Sequence, residues 1–391
     1  MEYDFDEIID RRNTSSLKYD FAKERGMPEG LLPLWVADMD FRAPPEALSA
    51  MREKLEHGVF GYSVADAAYY EALAGWFMRG FGYRVEREWV VTSPGVVFAA
   101  VAAIRAFTSE GEGVLIQRPV YYPFSQMIRA NGRVVVNSPL VESDGRYSID
   151  FDDLERKIAD NRVRLFILCS PHNPVGRVWT RGELERLGEI CLKHSCIVLS
   201  DEVHCDFVYP GHRHTPLASI SPEFAENTLT CTAPSKTFNL PGLQVSNTII
   251  QNAALRAKFA RAARSTGFEE MNIFGLVACQ SAYAHGEGWL DALLAYLAGN
   301  LGLLRSFLSE SLPKARLVEP EGTYLAWMDF RGFGLSPEEL DRMMVERAGL
   351  WLDGGTIFGE EGAGFQRINI ACPRAALRQA LERLAAAFAE A

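Results

Sequence analysis

Lys236 stands in the run Thr232-Ala233-Pro234-Ser235-Lys236-Thr237-Phe238-Asn239-Leu240-Pro241-Gly242-Leu243-Gln244, a lone lysine among turn-forming residues, and that run follows the short stretch Asn227 to Cys231. That stretch reads as a buried strand, and open α/β sheets place their ligands at strand ends. Two readings of Lys236 stay open at this point. It is a solvated loop lysine, or a partly desolvated amine able to attack a carbonyl. Other strand ends carry polar residues that an apolar core would not choose. Ser200-Asp201-Glu202-Val203-His204 follows the run Cys196 to Leu199, and a carboxylate there costs several kcal/mol, about the price of an unpaired buried charge, unless a cation or hydrogen bonds offset it. A helix cap or a structural ion pair would account for Asp201 equally well.

Ser170-Pro171-His172-Asn173-Pro174-Val175-Gly176 follows the run Arg164 to Cys169. Its prolines fix the backbone around Asn173, which suits either an amide held toward a ligand, with a cis bond at Asn173-Pro174, or a plain tight turn. Ser93-Pro94-Gly95-Val96-Val97 joins a strand to a helix, where free N–H groups and the helix dipole can hold a phosphate. Tyr121 follows the run Val114 to Gln117 and presents an aromatic face at the same rim.

These residues need a scaffold, and the pattern from Glu88 to Asn252 provides one. Strand-like runs at 89–92, 114–117, 134–136, 164–169 and 196–200 alternate with helical stretches at 95–107, 122–130, from 151 and at 180–194, and Ser246 to Ile250 follows the lysine. Continuous β-branched runs alternating with helices predict a mainly parallel sheet covered on both faces. Helical stretches follow near 252–268, 272–285 and 288–310. Strands near 324–327 and 367–370 and a helix from Pro373 then predict a smaller α+β unit. The expected division is 1–43 as an N-terminal arm with part of the small domain, 44–288 as the large domain, and 289–391 as the small domain. Before it, Pro44-Pro45 opens a helix to His57, Asp66 to Phe81 forms another, and Tyr62 lies between them on an exposed-looking turn.

The totals narrow the function. A length of 391 residues suits two domains, and 48% apolar with 23% charged residues is a globular composition. A formal charge of -11 without a Lys/Arg cluster argues against a nucleic-acid surface. The seven cysteines are irregularly spaced, with no Cys-x-x-Cys pair, and read as buried thiols of a reducing compartment. The acidic start Met1-Glu2-Tyr3-Asp4 shows no targeting pattern, and the apolar runs read as shorter than a membrane span. A cytoplasmic protein without membrane partners is expected.

Taken in order, these pieces resemble the fold-type I pyridoxal-phosphate enzymes, the aspartate aminotransferase superfamily. The resemblance implies an α/β, aspartate-aminotransferase-like fold with pyridoxal 5'-phosphate as cofactor. Lys236 would carry the cofactor as an imine and act as the base. Asp201 would pair with its ring nitrogen, Asn173 would bond its ring oxygen and Tyr121 would stack on its ring. Gly95, Val96 and Val97 with Ser235 would hold its phosphate. Arg367, in Phe365-Gln366-Arg367-Ile368-Asn369, matches the family's arginine for the substrate carboxylate, a task for which a guanidinium fork is suited; a structural salt bridge is the other account of it. Tyr62 matches a residue that reaches the phosphate of a neighbouring subunit, which implies a homodimer.

Three residues depart from the aminotransferase pattern. Gln244 stands where a phosphate-binding arginine is usual, Ala233 where serine is common, and His204 where a ring-oxygen tyrosine is usual. The same residues, with Trp35-Val36-Ala37-Asp38-Met39-Asp40-Phe41 and Asp201-Glu202-Val203-His204, resemble the MalY/PatB-type cystathionine β-lyases. That likeness adds His204 to the cofactor pocket and Ala37, with Asn173, to the substrate side. It implies a carbon–sulfur β-lyase acting on a sulfur-containing amino acid. An aminotransferase of the same fold, or dual activity, is the alternative, and a binding or regulatory protein built on the fold is a third reading.

Overall fold

The computed structural model describes residues 3–389; Met1 and Glu2 of the expected arm, and Glu390 and Ala391, lie outside it. Its centre is a seven-stranded sheet formed by β1 (Val90–Ser93), β2 (Gly113–Ile116), β3 (Val134–Asn137), β4 (Leu165–Cys169), β5 (Ile197–Asp201), β6 (Thr228–Thr232) and β7 (Ser246–Ile249), in the order β1-β7-β6-β5-β4-β2-β3. β7 runs antiparallel to both its neighbours, and the other pairings are parallel. Every residue of β2, β4 and β6 is buried, as expected for strands with helices on both faces. The expected helices form at Pro45–His57, Ala67–Phe81, Val96–Phe107, Pro123–Ala130, Phe151–Asp160 and Arg181–Lys193, within a residue or two of their sequence limits. Thr180 and Glu183 cap the last of these reciprocally, which satisfies two N–H groups that the helix start leaves free.

A second sheet of β8 (Arg316–Val318), β9 (Leu325–Asp329), β10 (Asp353–Gly354) and β11 (Phe365–Asn369) has the order β8-β9-β11-β10 and is antiparallel throughout. The helix Arg374–Phe388 packs by Leu377, Leu381, Leu384 and Phe388 into the same core. The N-terminal segment joins this unit: Leu32–Pro33 pairs in parallel with Leu350–Trp351, and Trp35 stacks on Trp351 with ring centroids 4.5 Å apart. Beside it, the fully buried Lys18 ammonium meets Asp40 at 2.7 Å, and Arg11 meets the other Asp40 oxygen at 2.7 Å. The arm's aromatic content is thus spent on packing within the chain.

The structure changes two local expectations. Lys236 sits in a helical turn, Pro234–Thr237, not in an open loop. The helix Glu287–Ser311 is long and apolar enough to cross a membrane by length and composition, although the sequence runs read as too short. Its Trp289, Leu293, Leu297, Leu301, Leu304 and Leu308 are buried in the core. All seven cysteines are buried and free.

Candidate active site

Register brings the site together. Cys169, Asp201 and Cys231 are Cα partners on β4, β5 and β6, so Asn173, Asp201 and Lys236 leave three adjacent strands at one level. The lysine turn forms because Pro234 occupies a first-turn position, where its missing N–H costs nothing. Phe238 N–H then donates to Pro234 at 2.9 Å, and Leu240 N–H to Ser235 at 3.0 Å. Thr237 donates to Asp206 at 2.6 Å, and Asp206 also accepts the Trp76 indole at 3.0 Å. Asn239, at φ 55°, accepts from Met39 N–H at 2.9 Å and donates to the Met39 and Phe41 carbonyls at 3.0 and 2.9 Å. That residue latches the arm across the lysine turn.

The resulting cavity, about 240 Å³, is walled by Lys236, Ser235, Asp201, His204, Asn173, Tyr121, Arg367, Ala37 and the Gly95-Val96-Val97 backbone. Every residue expected in the site from sequence lines it, except Tyr62. That side chain is 95% exposed, beside exposed Val59, Phe60 and Val64. A larger cleft of about 560 Å³ between Trp76 and Leu294 contains neither Lys236 nor Asp201.

Lys236 donates to the Ala37 carbonyl at 3.1 Å. The residue keeps some accessible surface, but the surrounding protein atoms desolvate its amine. Burial lowers its pKa to about 8, with Asp38 and Asp201 opposing and Arg367 assisting. Asp201 is 5% exposed, and its carboxylate accepts from Val203 N–H at 3.2 Å. Burial raises its pKa to about 7 against that bond and the Lys236 charge. The neighbouring Glu202 is already matched by His214 at 2.9 Å, Ser200 at 2.8 Å and Leu217 N–H at 3.2 Å. Asp201 therefore carries the cavity's incompletely satisfied carboxylate, and a protonated ring nitrogen would complete it.

His204 is buried with its Nδ1 unpartnered, and burial drives it well below the usual histidine pKa. It is a neutral ring beside Tyr324, centroids 5.7 Å apart. Tyr121 is likewise buried, its phenol pushed upward mainly by desolvation, and its N–H donates to the Asn173 carbonyl at 3.1 Å. The Asn173–Pro174 bond is cis. The helix Val96–Phe107 begins at Gly95 without a side-chain cap, so first-turn N–H groups face the cavity unsatisfied by any side chain, as an anion requires. Gln244 is on the wall, in the left-handed region at φ 52°. Arg367 donates to Asn173 Oδ1 at 2.8 Å, to the Trp35 carbonyl at 3.0 Å and to Asp353. Both accounts of Arg367 from sequence are therefore physically present: it lines the cavity and it makes an ion pair.

A primary amine of lowered pKa, a buried carboxylate, an uncapped helix start and an aromatic wall suit a phosphorylated pyridine aldehyde such as pyridoxal phosphate. Sequence reasoning missed Asp353, Tyr122, Trp35 and Cys169 on the same wall, and Tyr324, which donates to the Ala37 carbonyl at 2.8 Å. Asp353 was findable: Leu350-Trp351-Leu352-Asp353-Gly354 repeats the pattern that marked Asp201, a carboxylate closing an apolar run.

Comparison with known proteins agrees with this geometry. Residues 29–384 match the aminotransferase class I and II family. Cystathionine beta-lyase PatB of Bacillus subtilis is 45% identical over 384 residues, covering 98% of this chain and 99% of that protein. Protein MalY of Escherichia coli is 33% identical, covering 98% of both. The crystal structure of cystalysin from Treponema denticola, which contains a pyridoxal 5'-phosphate cofactor, has a TM-score of 0.96 at 37% identity and covers 100% of both chains. With its cavity at the strand ends and a match running nearly end to end, the chain belongs to the class I and II aminotransferase family.

Proposed function

We propose that the chain is a pyridoxal-phosphate-dependent carbon–sulfur β-lyase that converts cystathionine or related cysteine S-conjugates to a thiol, pyruvate and ammonia. The observation that carries this reading is the cavity itself. Lys236 and Asp201 meet there on adjacent strand ends, with Gln244 on the wall in place of the aminotransferase arginine. The likeness to PatB and MalY supports the lyase branch.

When bound, the cofactor supplies an aldehyde for the substrate amine and a ring that accepts the electron pair of the broken Cα–H bond. The Gly95, Val96 and Val97 N–H groups and the Ser235 hydroxyl would hold its phosphate, and Asp201 would hold a proton at its ring nitrogen. Asn173 would bond its ring oxygen, Tyr121 would stack on its ring, and His204 would sit in the same pocket as a neutral group. Arg367, with Asn173 and the Ala37 carbonyl nearby, binds the substrate carboxylate. Lys236, whose pKa burial lowers to about 8 in the cofactor-free cavity, would take the α-proton as a base. Elimination would break the C–S bond with its electron pair leaving on sulfur while the former Cα–H pair forms Cα=Cβ, and with one water the three-carbon fragment would end as pyruvate and ammonia.

The proposal extends to a cytoplasmic homodimer in which Tyr62 reaches the partner's phosphate site, and to domain limits near 43 and 288. The exposure of Val59, Phe60, Tyr62 and Val64 supports burial of that segment by a second copy. Purified protein incubated with cystathionine, without a keto acid, should release pyruvate and free thiol. Conversion that needs an added keto acid and releases no thiol would replace the lyase with a transaminase. Neither product, from protein that retains the cofactor, would favour a binding role.

A further inference from the structure

Arg367 is only 3% exposed and its guanidinium lies over the Phe358 ring, 4.8 Å from the centroid. Its five N–H groups can be accounted for one by one. Nη1 gives one to Asn173 and keeps one. Nη2 gives one to the Trp35 carbonyl and one to Asp353. Nε, buried, has no partner. A guanidinium grips a carboxylate with two parallel N–H bonds either end-on, through Nη1 and Nη2, or side-on, through Nε and Nη2, because Cδ blocks the remaining edge. Both grips need Nη2, and both Nη2 protons are already engaged.

Asp353 is a cross-strand partner of Arg367, β10 against β11. It is 6% exposed, and its side chain also lines the cavity. Of the charged groups on the cavity wall, Asp353 is the one hydrogen-bonded to the arginine fork, and Lys236 and Asp201 line the same cavity. A second anion arriving next to an intact Asp353–Arg367 pair would leave one buried negative charge unmatched, which is costly at low dielectric.

We propose that Asp353 is a specificity-determining positioning residue. It holds Arg367 in place in the free enzyme and acts as an internal competitor that an incoming α-carboxylate must displace from Nη2. The inference rests on the assignment of Arg367 to the substrate carboxylate. It adds that affinity for the carboxylate end is set by an exchange of one carboxylate for another. The site thereby avoids leaving Arg367 as an unpaired buried cation, and it disfavours small carboxylates that bring no other binding groups to drive the exchange.

The test uses the holoenzyme and propionate, a carboxylate without an amine, titrated by calorimetry, together with KM and kcat for cystathionine. Asp353→Asn keeps an oxygen acceptor for Nη2 but removes the charge, and propionate should bind about tenfold tighter. KM should fall with no gain in kcat. Asp353→Ser, a smaller neutral side chain, should act in the same direction, while Asp353→Glu should stay close to the parent; thermal melting verifies that each variant folds. Unchanged or weaker propionate binding in both neutral variants would overturn the proposal, as would equal tightening by Glu. Arg367→Ala, measured in parallel, separates the two levels. If it abolishes propionate binding while the neutral Asp353 variants do not tighten it, only the competitor role fails. If propionate binding survives Arg367→Ala, the carboxylate assignment itself fails.

Discussion

Replacing Asp201 by asparagine should stabilise the cofactor-free protein while disabling the loaded enzyme. Asp201 titrates near 7 in the fold, against 3.8 for an ordinary aspartate, because burial penalises its charge more than the Val203 N–H and Lys236 relieve it. The sign follows from which state holds the proton. Below about pH 4 both folded and unfolded chains keep it, and the residue has no effect on stability. Between about 4 and 7 the unfolded chain ionises while the fold does not, so stability falls as pH rises. Above 7 the full cost is present. At about 1.4 kcal/mol per pH unit, the gap between 3.8 and about 7 corresponds to about 4 kcal/mol.

Asparagine keeps a side-chain oxygen for Val203 N–H and carries no charge to desolvate. Cofactor-free Asp201→Asn should therefore match the parent near pH 4 and gain on it progressively up to about pH 7. Above that it should hold an advantage of up to about 4 kcal/mol, roughly 5 °C in melting temperature for a chain of 391 residues unfolding as one unit. Denaturant melts and thermal scans at pH 4, 6 and 8 measure the curve. A variant less stable than the parent at pH 8, or an advantage independent of pH, would refute the reasoning. Loading with cofactor should reverse the order, because only the carboxylate can pair with a protonated ring nitrogen, and turnover should fall by about 10²–10³, the usual loss for a well-placed electrostatic partner.

Lys236→Ala should abolish turnover and the absorbance of lysine-linked cofactor; turnover that survives would remove the central assignment. In cofactor-free parent protein the Lys236 pKa is lowered from 10.5 to about 8, so the cost of burying the ammonium is full below 8 and fades as pH rises to 10.5. Lys236→Met should flatten that stability rise in alkaline melts. Gln244→Arg should restore a cation to the phosphate side of the cavity and slow cofactor loss on dilution by about tenfold, followed by absorbance; an unchanged rate would show that residue 244 does not reach the phosphate. Phe60→Asp with Tyr62→Asp should shift sedimentation from dimer to monomer at micromolar concentration, and an undisturbed dimer would move the interface elsewhere.

The sequence carried the scaffold because its signals are local. The run that became β4 is continuous and apolar, that of β5 is apolar up to Ser200 and Asp201, and that of β6 is short and rich in β-branched threonine; the polar residues that follow them could be read as anomalies in place. Proximity in the chain does not show what completes the cavity. Arg367 and Trp35 are 332 residues apart, Lys236 and Ala37 are 199 apart, and Tyr324 and Ala37 are 287 apart. These meetings depend on the arm crossing between two sheets, and no periodicity encodes that. Asn239 and Asn369 make the crossing definite: Asn239 binds the Met39 and Phe41 backbone, and Asn369 donates to the Val36 and Asp38 carbonyls at 2.8 and 2.7 Å. Two amides thus fix the backbone of 36–41, and the Ala37 carbonyl, between the two anchor points of Asn369, is the group that receives both Lys236 and Tyr324. Asp353 escaped for a different reason. Its pattern matched that of Asp201, but its consequence depends on which guanidinium protons remain free, a count that exists only once Arg367, Asn173 and the Trp35 carbonyl have been brought together.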